Sequence, residues 1–223
     1  MCYSFQTSII SYTIGMLSAL FALSTNQIIL GCLILAYAQM QLAEAFIWRG
    51  IDNNDTKLNE FGTKFAQYAL PTHNIALGLG IILSILLSGK KLKLVDFVPL
   101  GIGIAFYLWV VQTYYTNNVF PNVTYPRSHI SDTVGEPQCQ NPENRLLWKF
   151  PHEWYIQSFI ISIILALFWI TPNISKVLFV LMYSITFIVS YLIYPVTVGS
   201  TWCWATSTLS PIIVLLNYYL LSK

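Results

Sequence analysis

The chain has 223 residues, of which 56% are hydrophobic and 9% charged, and its mean hydropathy is +0.61. Soluble globular domains carry about 25% charged residues, so this composition excludes an ordinary water-soluble fold and points to the lipid bilayer as partner. The formal net charge of +2 is spread over scattered Lys and Arg with no basic stripe, which argues against nucleic acid as a partner.

Seven apolar blocks follow one another at roughly 7–24, 28–48, 67–88, 95–115, 154–172, 175–195 and 201–221. Each is near the ~20 residues that cross a hydrocarbon core about 30 Å thick. They predict an all-α, polytopic bundle of seven transmembrane helices forming one domain over 1–223, with a long extramembrane loop at 116–153 between helices four and five. Blocks of spanning length, rather than short alternating strands, argue against a barrel. The first block opens MCYSFQTSIIS with no basic leader, so it is expected to be a retained helix and not a cleaved signal. The short TNQ junction at 25–27 makes a tight hairpin with the second block. Pro172 and Asn173 break blocks five and six, and Pro195, Gly199 and Ser200 separate six from seven.

Charge placement gives an orientation. With the amino terminus outside, Lys90, Lys91 and Lys93 fall in one short inner loop, Lys176 in another and Lys223 at the inner end. The outer segments are mixed in sign, one carrying Arg49, Asp52, Asp55, Lys57, Glu60 and Lys64.

Within the second block, QMQLAEAFIWRG holds a carboxylate, Glu44, where burial costs several kcal/mol unless it is answered. Helical spacing places Gln41, Glu44 and Trp48 on one side. In the third block, PTHN puts His73 and Asn74 behind Pro71, which frees backbone carbonyls. The topology sets His73 at nearly the depth of Glu44, so the two are expected to form a proton, cation or small-ligand site completed by Gln41 and Asn74. A purely structural role, pairing helices, is the alternative for each.

GSTWCWATSTLSP at 199–211 carries Trp202 and Trp204, expected as interfacial anchors, with Cys203 between them. Cys2 lies at the same end of the first helix, so a Cys2–Cys203 bridge and a zinc site with Glu44, His73 and His152 are both open. Cys, His and carboxylate all suit zinc. His152 and Glu153 open the fifth block after Pro151. Gly-containing GLGIIL and GIGIAF are read as close helix packing. No Walker loop, dinucleotide-binding glycine pattern, CxxC, HExxH or GxSxG is present, and no lysine inside the seventh block can carry a retinal Schiff base.

Three stretches, MCYSFQTSIIS, QMQLAEAFIW and VSYLIYPVTVGSTWCWATS, resemble a family of uncharacterised bacterial multi-span membrane proteins with relatives in large DNA viruses. The resemblance rests on an MCxS start and on QxxEAxxW and YPxxxxSxWC motifs, and covers Cys2, Ser4, Gln41, Glu44, Trp48, Tyr194, Pro195, Trp202 and Cys203. It implies an integral membrane location, in a host or viral membrane for the viral branch and the plasma membrane otherwise, and carries no established activity. Three functions compete: a proton or cation channel or transporter, an intramembrane zinc-dependent hydrolase, and a receptor-like or structural membrane protein, any of which is compatible with a homo-oligomer.

Overall fold

The computed structural model describes residues 4–117, 122–126, 146, 152–194 and 197–222. Cys2, His129, Cys139, Pro195 and most of the 116–153 connection lie outside the described residues. Among the described residues eight α-helices follow in order: α1 (Phe5–Ser24), α2 (Ile28–Asp52), α3 (Thr56–Ala69), α4 (Thr72–Leu87), α5 (Val98–Asn117), α6 (His152–Trp169), α7 (Asn173–Ile193) and α8 (Val198–Leu221). A 3-10 turn at Leu94–Phe97 leads into α5. Among the described residues there is no strand, and Pro126 and Leu146 make an isolated bridge.

The helix starts follow local chemistry. Ser4 accepts a hydrogen bond from the Thr7 amide at 3.2 Å and caps α1, while Asp55 does the same for Leu58 at 3.1 Å and caps α3. Asn26 and Asn54, both at positive φ, turn the chain after α1 and α2.

Two expectations need correction. The segment after Arg49, expected as an outer loop, is the end of α2 followed by a further helix, α3. That helix carries Lys57, Glu60 and Lys64 on one side and buries Asn59, Gly62, Thr63 and Ala66 on the other. Its partner is α2: a Cβ on Gly62 would come within 2.9 Å of the Ala43 carbonyl, so the two backbones nearly touch. The third apolar block is also not one straight helix. Leu70 and Pro71 end α3, and α4 starts at a 48° bend.

α2 lies at the centre, packed by α1, α3, α4 and α8. It is apolar almost all round, as a helix with neighbours on every side must be. α1 and α8 present seams of small residues: Ser8, Ser11, Gly15 and Ser18 on one, Ser200, Cys203, Ser207 and Ser210 on the other. These let the helix axes come close where apolar bulk gives no advantage over lipid. α4 and α5 meet through Gly78 and Gly103, where a Cβ would come within 2.6 Å of Leu100 and 2.7 Å of Asn74 respectively. The GLGIIL and GIGIAF segments thus supply the close packing expected of them. In the interior, Trp202 stands edge-on to Tyr183 (4.8 Å) and Phe187 (5.0 Å), and Phe159 stacks on Phe187 at 4.4 Å.

Candidate functional site

Gln41 and Glu44 lie one turn apart on α2, and both are fully buried. The Gln41 amide Nε2 donates to Glu44 Oε2 at 3.2 Å, while Gln41 Oε1 has no partner among the described residues. The surrounding register comes from backbone neighbours. A Cβ on Gly15 would touch both Ala38 and Ser207, so α1 and α8 flank α2 at that level. Towards the other end, Gln27 reaches Val214 and Asn217. Both flanking helices therefore run antiparallel to α2, and counting along them sets Ser8 and Ser11, and Ser200 and Cys203, at the level of Gln41 and Glu44. Cys203 lies close to the Glu44 carboxyl, and Tyr183 close to Cys203. The hydroxyls of Ser8, Ser11, Ser200 and Ser207 are buried with no hydrogen-bond partner among the described residues.

His73 is placed differently from the expectation. It is fully buried, and its ring meets Tyr37 edge-on at 4.4 Å, beside the Ala36 carbonyl. Tyr37 precedes Glu44 by seven residues, about 10 Å along the axis at 1.5 Å per residue. The two groups thus face one interior at different depths. Both ring nitrogens of His73, the Tyr37 hydroxyl and the Trp202 indole N–H lack partners among the described residues.

Asn74 does not complete a site with Glu44. Adjacent helical residues point about 100° apart, so His73 faces α2 while Asn74 faces α6. There Asn74 Nδ2 donates to Ser158 Oγ at 3.2 Å, and its Oδ1 accepts from Ser162 Oγ at 2.7 Å. The Tyr183 hydroxyl donates to Ser162 at 3.2 Å, so one amide ties α4, α6 and α7.

Trp48 is 4% exposed and its indole N–H has no partner among the described residues. Trp202 is 1% exposed, which corrects its expected role as an interfacial anchor: Tyr37, Tyr183 and Phe187 enclose the ring. Trp204, two residues on, is half-buried. Cys203 is a free thiol at 1% exposure, and the expected bridge to Cys2 falls on a residue outside the described ones. His152 opens α6 as expected, with its side chain outside the described residues. Among the described residues, no three of His, Cys, Asp and Glu come together as a metal-binding set.

The residues that sequence reasoning missed are the serines of α1 and α8 and the Tyr37–Tyr183 pair. Their signal was present as small polar residues at three- and four-residue steps, Ser4–Ser8–Ser11 and Ser200–Cys203–Ser207, a spacing that marks one helix face.

Comparison with known protein families, curated proteins and solved structures finds no match to this chain. The class is defined by the fold itself. Among the described residues, five helices are long and apolar enough to cross a bilayer, six if the bent α3–α4 pair is one span, as in an integral membrane protein of all-helical type.

Proposed function

We propose that the protein is a transporter for protons or small cations, with Glu44 as the ion-responsive carboxyl and Gln41 as its positioning partner. The observation that carries this reading is a fully buried Glu44–Gln41 pair at the level of serine hydroxyls from two facing helices that lack partners. A buried hydroxyl without a partner costs about 1–3 kcal/mol, which bound water or a partly dehydrated cation would recover. A carboxyl within a span is itself the usual mark of an ion or proton path. Enclosure of the pair favours a carrier, which binds and then reopens, over a continuously open channel.

The reading extends to seven crossings with the amino terminus outside. α6 has 18 residues, about 27 Å at 1.5 Å per residue, close to the hydrocarbon thickness. With the α3–α4 pair as one span, α1, α2, α5, α6, α7 and α8 make the other six.

The test is flux in sealed proteoliposomes carrying a pH-sensitive and a cation-sensitive dye. The wild-type chain should dissipate an imposed gradient, Glu44→Gln should slow it at least tenfold, and an exposed control, Lys57→Gln, should leave it unchanged. Wild-type flux no greater than that of empty liposomes would remove the proposal.

A further inference from the structure

At the end of the bundle away from Glu44, residues 88–93 join α4 to the 3-10 turn at Leu94–Phe97. The backbone of this connection is fixed on both sides. Gly89, at φ +70°, ends α4: its amide donates to the Leu86 carbonyl at 3.0 Å, and the Lys90 amide donates to the Ile85 carbonyl at 3.3 Å. The Lys93 amide donates to Asp96 Oδ2 at 2.7 Å and starts the turn.

The flanking side chains set the depth. Leu87 is exposed before the connection, and after it Leu94 is 89% exposed, with Val95 and Phe97 exposed beside it. Side chains this apolar belong against lipid tails, and an apolar stretch of spanning length begins at Leu94. Leu87 and Leu94 therefore mark the edge of the hydrocarbon. Lys90, Lys91 and Lys93, all exposed, stand between them. Six residues reach at most about 20 Å, and a chain that goes out and returns rises half of that, which keeps the three ammonium groups near the headgroup layer.

Charge at this end is one-sided. Ser84 of α4 and Pro172 border one small cavity, and the Lys176 amide bonds the Pro172 carbonyl at 3.2 Å, so Lys176 belongs to the same end. Against these four lysines the described residues of that end offer one acid, Asp96, whose carboxylate already accepts from the Lys93 amide. Around the α2–α3 turn, by contrast, Arg49, Lys57 and Lys64 are matched by Asp52, Asp55 and Glu60. Each lysine near a membrane surface raises affinity for anionic lipid about fivefold.

We propose that this surface binds anionic phospholipid. Lys90, Lys91 and Lys93, with Lys176 at the same end, attract the headgroup phosphates, while Leu94, Val95 and Phe97 lie among the acyl chains. A zwitterionic headgroup carries its own ammonium group, which cancels the attraction. Free phosphate would gain nothing from the apolar turn.

The test uses the full chain in phosphatidylcholine nanodiscs doped with a phosphatidylglycerol that carries a diazirine near its headgroup, its cross-links mapped by mass spectrometry. Cross-links should concentrate in 86–98 and 172–177. Unlabelled phosphatidylglycerol should reduce them at least fivefold, and the same concentration of inorganic phosphate should not. The triple variant Lys90→Gln, Lys91→Gln, Lys93→Gln should cut labelling at least tenfold with the melting temperature retained, while Lys57→Gln with Lys64→Gln should leave labelling of 86–98 unchanged. Raising salt from 0.01 to 1 M shortens the screening length from about 30 to about 3 Å and should cut labelling at least fivefold. If the triple variant does not fold, the salt and competition arms decide. Cross-links concentrated elsewhere, labelling that survives the lysine substitutions or high salt, or equal competition by phosphate overturns the assignment. Glu44→Gln should leave labelling unchanged, which separates this surface from the transport reading.

Discussion

Replacing Asn74 by Leu keeps the side-chain size and removes both hydrogen bonds that tie α4 to α6. The lost partners are Ser158 at 3.2 Å and Ser162 at 2.7 Å. Interhelical hydrogen bonds in membrane proteins average about 0.6 kcal/mol and reach about 1.7. Two of them, one short, predict a loss of about 1–2 kcal/mol. Part of the cost is recoverable, because a helical serine can turn its hydroxyl onto the carbonyl one turn back. A double-mutant cycle with Ser162→Ala isolates the shorter bond and should give a coupling energy of about 0.6–1.7 kcal/mol. The Tyr183 hydroxyl, which also reaches Ser162, stays in place in both arms of the cycle. Reversible unfolding in mixed micelles of mild detergent and dodecyl sulfate supplies the free energies. If the two substitutions add to within about 0.2 kcal/mol, the Asn74–Ser162 contact does not hold the helices together, and the placement of α6 against α4 must be redrawn.

Further expectations concern the packing. Gly78→Ala should destabilise by about 1–3 kcal/mol, because its Cβ would come within 2.6 Å of the Leu100 backbone. Gly101→Ala, with nothing within 4 Å, should instead be neutral or stabilise by up to about 1 kcal/mol, and thermal unfolding of the pair reads the contrast in sign. The Thr124 amide donates to Asn59 Oδ1 at 3.0 Å, so Asn59→Ala should speed its hydrogen exchange about tenfold, measured on the peptide containing Thr124. A chain retaining Cys203 as its sole cysteine should resist maleimide in mild detergent and react once unfolded; rapid labelling of the native chain would contradict the buried, free thiol.

Most of the helices could be read from apolar run length, because a bilayer demands a fixed span and leaves few alternatives. α3 could not. Its Lys57, Glu60 and Lys64 read as loop, and the face it buries is small and polar, with Asn59, Gly62 and Thr63 in place of leucines. A hydrophobic pattern has no purchase on a helix that docks by close backbone approach. For the same reason the serines of α1 and α8 passed unnoticed while the single carboxyl of α2 stood out. Glu44 and Gln41 were legible as neighbours because three-residue spacing within one helix is fixed geometry. The depth of His73 was not, since it depends on where α4 begins. The Leu70–Pro71 bend shifts that start and sets the histidine against Tyr37. Trp202 misled because a tryptophan near a helix end serves equally as surface anchor or core filler, and sequence does not say which side of the helix is covered.

The Tyr37, Tyr183, Trp202 and Phe187 rings pack against one another in the interior between α2, α7 and α8. They tie α2, α7 and α8 into one aromatic block. Packed rings of this bulk turn only when the surrounding helices breathe, on microsecond to millisecond scales. Any change in how these three helices pack is therefore paced by that breathing.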